Sequence, residues 1–261
     1  MKRLIIALVV LGGLFVALDF GSAAVAESAV SRQMRSQLGL ADDPSVRING
    51  FPFLTQAAAG KYSSVDVDAD RVTVGQLRDL DVSAQLRDVT APLSMLLGSG
   101  PKTLQVQTAE GSVSIPADSL EKLLPGVTKL RIETLDENAL EQAADDGGDL
   151  AVADLDPTKT VRLAGTTALL GQKSDVTVIA ELQLAGGQIL IVPRDVRVGG
   201  VNTIPVAAQR TISRLFTLRL DPGALPLEIT PTKLRAANGV LEISGRARDL
   251  TLGAATSAAG G

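Results

Sequence analysis

The chain has 261 residues, a formal charge of −4 and 45% apolar residues, yet only 2% aromatic ones and neither cysteine nor histidine. Such a length allows one large domain or two small ones, with a core built from Val, Leu, Ile and Ala. The missing side chains exclude disulfides, thiol nucleophiles, Cys/His zinc sites and imidazole-based triads, and the mild acidity argues against bulk attraction to nucleic acid.

Met1-Lys2-Arg3 is a basic start, followed by the apolar run Leu4 to Leu18 and by Ala24-Val25-Ala26, a small-x-small cleavage pattern ahead of Glu27. The run holds 15 residues, short of the roughly 20 that cross a bilayer. Asp19 is the lone charge between Arg3 and Glu27. Residues 1–26 therefore read either as a cleaved signal peptide or as a retained signal anchor, and both place the remainder outside the cytoplasm. Cleavage after Ala26 removes two bases and one acid and moves the charge from −4 to −5. Residues 27–252 are expected to form a single α+β domain, and residues 253–261, rich in Gly, Ala and Ser, a disordered tail.

Ala26, Val30, Met34 and Leu38 recur at helical spacing and predict a helix over 23–38 that stops at Gly39. From Tyr62 the period becomes two. Val65, Val67 and Ala69 share one face and Asp66, Asp68 and Asp70 the other, with a slip near Arg71 that predicts a bulge. Further half-apolar strands are expected around 80–86, 104–106, 113–115 and 130–132. Short helices are expected over 117–124 and 135–144. A hairpin joins 176–184 to 188–198 through Ala185-Gly186-Gly187, an amphipathic helix covers 204–216, and two last strands flank Asn238-Gly239, a strong turn signal. Gly60-Lys61-Tyr62 and Gly171-Gln172-Lys173 open a weak internal echo without a fixed period.

No catalytic constellation stands out. Asp66, Asp68 and Asp70 fail the calcium-loop test, because Arg71 and Leu77 stand where that loop needs Gly and Glu. They read as the outer face of a strand. Asp136 to Pro157 carries eight acids and no base. Asp145, Asp146, Asp149, Asp154 and Asp156 could supply the carboxylate pair of a hydrolase, but a solvated acidic loop is the simpler reading. Gly98-Ser99-Gly100-Pro101-Lys102 departs from a phosphate loop, and Gly171-Gln172-Lys173 lacks the Gly before Lys. Nine bases against five acids between Leu190 and Leu250 suggest either a solvated face or one that meets an anionic ligand or membrane. No metal and no cofactor is implied.

Phe51-Pro52-Phe53 holds two of the six aromatic residues. Pro52 stiffens the segment, so its rings serve either as a plug for one end of the β-core or as a wedge at the mouth of an apolar pocket. Gly50-Phe51-Pro52-Phe53-Leu54-Thr55-Gln56, then Gly60-Lys61-Tyr62 and Val65-Asp66-Val67, then Leu225-Pro226-Leu227 and Asn238 to Ala247, occur in the order seen in the LmeA-like phospholipid-binding proteins of the actinobacterial cell envelope, which this chain resembles over most of 18–252. It departs at Leu227, where the family more often carries an aromatic residue. The resemblance implies a tubular lipid-binding fold, a curved antiparallel sheet wrapped around a long N-terminal helix. It also implies a non-enzymatic protein that binds anionic two-chain phospholipids such as phosphatidylinositol types at a membrane surface, in support of mannan-glycolipid synthesis. Alternation and the resemblance together single out Phe51, Pro52, Phe53, Leu54, Tyr62, Val65, Val67, Ile212 and Phe216 for acyl chains and Arg210 and Arg214 for a headgroup. The competing readings are an interaction module that stabilises a membrane glycosyltransferase and a carboxylate-dependent envelope hydrolase.

Overall fold

The computed structural model describes residues 2–92, 94, 103–146, 150–169, 172–185, 188–200, 204–220, 230–237 and 239–252. Several sequence expectations lie outside these residues: the tail, Gly186-Gly187, Asn238, Leu225-Pro226-Leu227, Asp149, Gly171 and the Gly98–Lys102 loop. Helix α1 (Lys2–Leu38) leads into β1 (Ser45–Asn49) and the short helix α2 (Phe53–Ala59). Next come β2 (Lys61–Val74), β3 (Leu77–Thr90), β4 (Leu104–Pro116), α3 (Ala117–Glu121), β5 (Val127–Thr134) and α4 (Glu137–Asp145). The chain continues through β6 (Thr160–Leu169), β7 (Gln172–Ala185), β8 (Gln188–Val198), α5 (Val206–Phe216), β9 (Leu218–Leu220), β10 (Thr230–Ala237) and β11 (Val240–Leu252).

The hydrogen-bonded order is β1-β2-β3-β4-β11-β10 in one sheet and β5-β6-β7-β8-β9 in the other. The class is α+β, with a long N-terminal helix and antiparallel sheets of which one curls into a half-barrel. Two compact units emerge: Met1–Asp70, Ser83–Gly111 and Arg246–Gly261 form the first, Arg71–Val82 and Ser112–Gly245 the second. The boundary in β2 falls at Arg71, which adopts φ 54°. That left-handed residue is the irregularity foreshadowed by the slip in alternation.

In the first unit the apolar run and the helix expected over 23–38 are one continuous helix. It ends at Gly39, whose φ of 64° is the left-handed stop. Its C-terminal half is fastened to the unit. Ser31 donates to the Pro44 carbonyl at 2.6 Å, Glu27 accepts from the Ile48 amide at 2.7 Å, and Arg35 pairs with Asp43 at 3.2 Å. The register sets Val46 opposite Val67 and Ile48 opposite Val65, so apolar pairs share one face, while Arg47 lies opposite Asp66. Ile48, Phe53, Ala57, Tyr62, Val89 and Val106 form the core, with Ala23 and Ala26 of α1 packed against it. Helix α2 is not expected from the sequence pattern. Gly60 caps it at φ 63°, where an added Cβ would come 3.1 Å from the Ala91 carbonyl.

The second unit is built on β5 to β9. Ile132, Leu163, Val178 and Val196 lie opposite one another in turn and are all buried. Ile212 and Phe216 of α5 are fully buried, so the stripe expected on this helix does face a core. Strand β6 went unpredicted, as did β1 and β9. The acidic segment is partly ordered by its own acids: Asp136 caps α4 by accepting from the Ala139 amide, and Asp156 accepts from the Thr158 amide and hydroxyl.

Candidate functional site

The Phe51-Pro52-Phe53 block is organised by a residue that lies inside the apolar leader. Asp19 is 2% exposed, and its two carboxylate oxygens accept hydrogen bonds from the Phe53 and Leu54 amides, each at 2.8 Å. These are free N–H groups of the first turn of α2, which has no side-chain cap of its own because its N-cap is Pro52. A carboxylate there meets both the donors and the positive end of the short helix. The same contact separates the two rings. Phe53 turns inward and is 4% exposed, whereas Phe51 is 60% exposed and stacks on Phe20 of α1 with centroids 6.1 Å apart. Phe53 thus fills the core as the plug reading expects, and Phe51 sits beside the apolar helix. The Phe51–Pro52 peptide is cis.

Phe53 meets Tyr62 at a centroid distance of 6.4 Å. Tyr62 is buried, yet among the described residues its hydroxyl has no hydrogen-bond partner, and neither has Nε2 of Gln56. Unpaired buried donors are costly, about 1–3 kcal/mol each, and are rare enough to require an explanation. Burial pushes the Tyr62 phenol above its usual value, so it remains an O–H donor. Gln56 is held over Gly50: its Oε1 accepts from the Ser63 amide at 3.0 Å, and a Cβ on Gly50 would come 2.7 Å from its Nε2. Gly50, at φ 108°, therefore has two reasons to be glycine. The neighbouring wall is small and aliphatic, with Ala57, Ala91 and Ala109 in the same cluster. The Tyr62 hydroxyl is thus a polar donor within an apolar cluster, and Gln56 Nε2 a second donor beside Gly50, chemistry that suits a mainly hydrocarbon ligand with a few acceptor oxygens.

Of the residues singled out from sequence, Phe53, Tyr62 and Val65 come together in this cluster. Pro52 and Val67 are half-buried beside them in sequence, and Leu54 is 37% exposed. Ile212 and Phe216 belong to the second unit, where they are core, while Arg210 and Arg214 are exposed on the same helix. Other bases of the C-terminal half meet acids of their own unit: Arg194 with Glu181, Arg235 with Glu242 and Arg246 with Glu110. Asp66 accepts from Asn49 and Gln85, and Asp68 from Ser83, which gives these strand carboxylates cross-strand partners. Sequence reasoning passed over Asp19 and Gln56. The signal for Asp19 was present, a single acid inside an apolar run, but its role depends on α2, which periodicity did not reveal.

Among the described residues α1 is the helix long and apolar enough to cross a membrane, and its first half is exposed on all sides. The sequence profile of the LmeA-like phospholipid-binding family matches residues 17–246, beginning just ahead of Asp19. No curated protein and no solved structure matches the chain.

Proposed function

The chain belongs to the LmeA-like phospholipid-binding family, and from that premise we propose that it is an exported, non-enzymatic protein that shelters the acyl chains of an anionic, two-chain phospholipid at the outer face of the cytoplasmic membrane. The observation that carries this reading is the partnerless Tyr62 Oη, set in one cluster with Phe53, Ala57 and Ala91, with a second partnerless donor, Gln56 Nε2, on the adjoining helix α2 beside Gly50. Ester oxygens at the head of a diacyl lipid supply the missing acceptors, while the chains take the aliphatic surroundings. Each methylene removed from water contributes about 0.8 kcal/mol, so even partial enclosure of two chains outweighs the freedom lost on binding. In this reading Phe51, Pro52, Leu54, Val65 and Val67 line the approach, the lipid is of the phosphatidylinositol type, and it is bound in the actinobacterial envelope. Delivery of lipid to a membrane glycosyltransferase of mannan-glycolipid synthesis is the use that follows.

The same reading treats α1 as retained. Cleavage after Ala26 would take away Asp19, Phe20, Ala23 and Ala26, leave the Phe53 and Leu54 amides unpaired and open one side of the core. Residues 2–18 then form an anchor that holds the Phe20–Phe51 pair and Leu54 at the bilayer surface, where lipid is taken up. The test is to purify the full chain from membranes, extract it and weigh both fractions by mass spectrometry. Stoichiometric phospholipid and a protein mass that includes residues 2–26 are expected. Absence of bound lipid, with no uptake from anionic vesicles, would overturn the function, and a mature mass starting at Glu27 would overturn the anchor.

A further inference from the structure

A second feature, wholly within the second unit, has no part in the apolar cluster. The registers of β5 to β8 set two four-residue rows side by side on one sheet face. Arg131, Ala164, Thr177 and Arg197 lie opposite one another in turn, and so do Glu133, Arg162, Ile179 and Asp195. Small residues occupy the middle of the first row and long charged ones its ends. A cavity of about 320 Å³ opens over this face, lined further by Ala143 and Gly200. Three arginines and two carboxylates line it.

These charges are not equivalent. Arg197 is committed: its Nε donates to Asp195 at 3.0 Å, its Nη2 to the Ala143 carbonyl, and its Nη1 faces Asp146 at 3.9 Å. It ties the end of α4 to the sheet and occupies the buried Asp195. Arg131 and Arg162 share one acid. Their nearest approaches to Glu133 are 3.8 and 3.7 Å, beyond hydrogen-bond length. One carboxylate cannot neutralise two guanidinium groups, and among the described residues neither fork has a hydrogen-bond acceptor within reach, so both present N–H donors on the rim and wall of a hollow. Forked donors arriving from two directions match a tetrahedral anion with several oxygens better than a single flat carboxylate.

We propose that this cavity is a binding site for a phosphate-bearing polar group, held by Arg131 and Arg162, with Glu133 as the internal acid that the phosphate displaces from them. The phosphate can come from a soluble ester or from a lipid headgroup. The site stands apart from the apolar cluster in either case, because its chemistry concerns the phosphate alone.

The experiment uses the full chain in neutral detergent, with inorganic phosphate and glycerol 3-phosphate as soluble probes followed by calorimetry, and flotation with phosphatidylglycerol or phosphatidylcholine vesicles as the lipid arm. Saturable binding of at least one soluble probe is expected. Arg131→Gln and Arg162→Gln should each weaken it at least about tenfold, a loss typical of one charged hydrogen-bonding partner. Glu133→Gln should tighten it several-fold, an opposite sign that a merely structural role would not produce. Arg131 is largely exposed, so its variant decides the matter if Arg162→Gln fails to fold. Binding of neither soluble probe, or binding indifferent to Arg131→Gln, would overturn the site. Soluble binding without preference for anionic vesicles assigns the cavity to a free phosphate ester, whereas a preference lost in Arg131→Gln assigns it to a headgroup. Acyl-chain capture that fails while soluble phosphate still binds removes the lipid reading and leaves this one intact.

Discussion

Replacing Asp19 by Ala probes the joint between the leader helix and the body of the protein. The wild-type carboxylate accepts two backbone hydrogen bonds of 2.8 Å at a position 2% exposed. A hydrogen bond to a charged group contributes about 1.5–3 kcal/mol, and the Leu54 amide is only part-buried, so the sum falls near 2–4 kcal/mol once its contribution is reduced for solvent access. No other side chain caps α2, and the loss has no local replacement. Asp19→Asn keeps one acceptor oxygen and should cost about half as much. Denaturation of the full chain in detergent gives the total. Hydrogen exchange gives the location: the Phe53 and Leu54 amides should exchange about 30- to 700-fold faster, by the tenfold-per-1.4 kcal/mol rule, while β6 and β7 amides of the second unit keep their protection. A loss below about 0.5 kcal/mol with Phe53 and Leu54 still protected would refute the joint.

Gly50→Ala meets both a φ of 108° and the Gln56 side chain at 2.7 Å. It should destabilise the fold by about 1–3 kcal/mol and weaken lipid uptake, read by thermal unfolding and vesicle transfer in parallel. Phe216→Ala empties a fully buried site in the second unit and should cost about 3–5 kcal/mol in denaturant titration. The Arg194 guanidinium beside Glu181 lowers its carboxyl below the usual range. A depressed folded-state value means that this stabilisation is present above the unfolded value and fades as pH falls through the folded one. Solvent screening keeps it under about 1 kcal/mol, and Arg194→Ala should flatten that part of the acid-side stability profile.

What the sequence showed depended on how local the cause was. Alternation placed β2, β7 and β8, and Gly39 and the slip at Arg71 marked true backbone events, because each is fixed by side-chain period or by φ. Strand β6 escaped because Thr160 to Leu169 mixes Thr, Ala and Gly and gains its strand character from pairing with β5 and β7. Helix α2 escaped for a related reason: Pro52 at its cap offers no side-chain acceptor, and the acceptor comes from Asp19, more than thirty positions earlier. The cavity of the second unit was equally hidden. Its arginines lie on three different strands, and only Arg197 falls in the basic C-terminal half that drew attention.

Photo-crosslinking tests most directly whether acyl chains enter the first unit. The probe is a short-chain anionic phospholipid below its micellar concentration, with a diazirine at the end of one chain. The account expects adducts on the Phe53, Ala57 and Tyr62 neighbourhood, abolished by excess unlabelled lipid. Adducts confined to residues 2–18, or none at all, would contradict it.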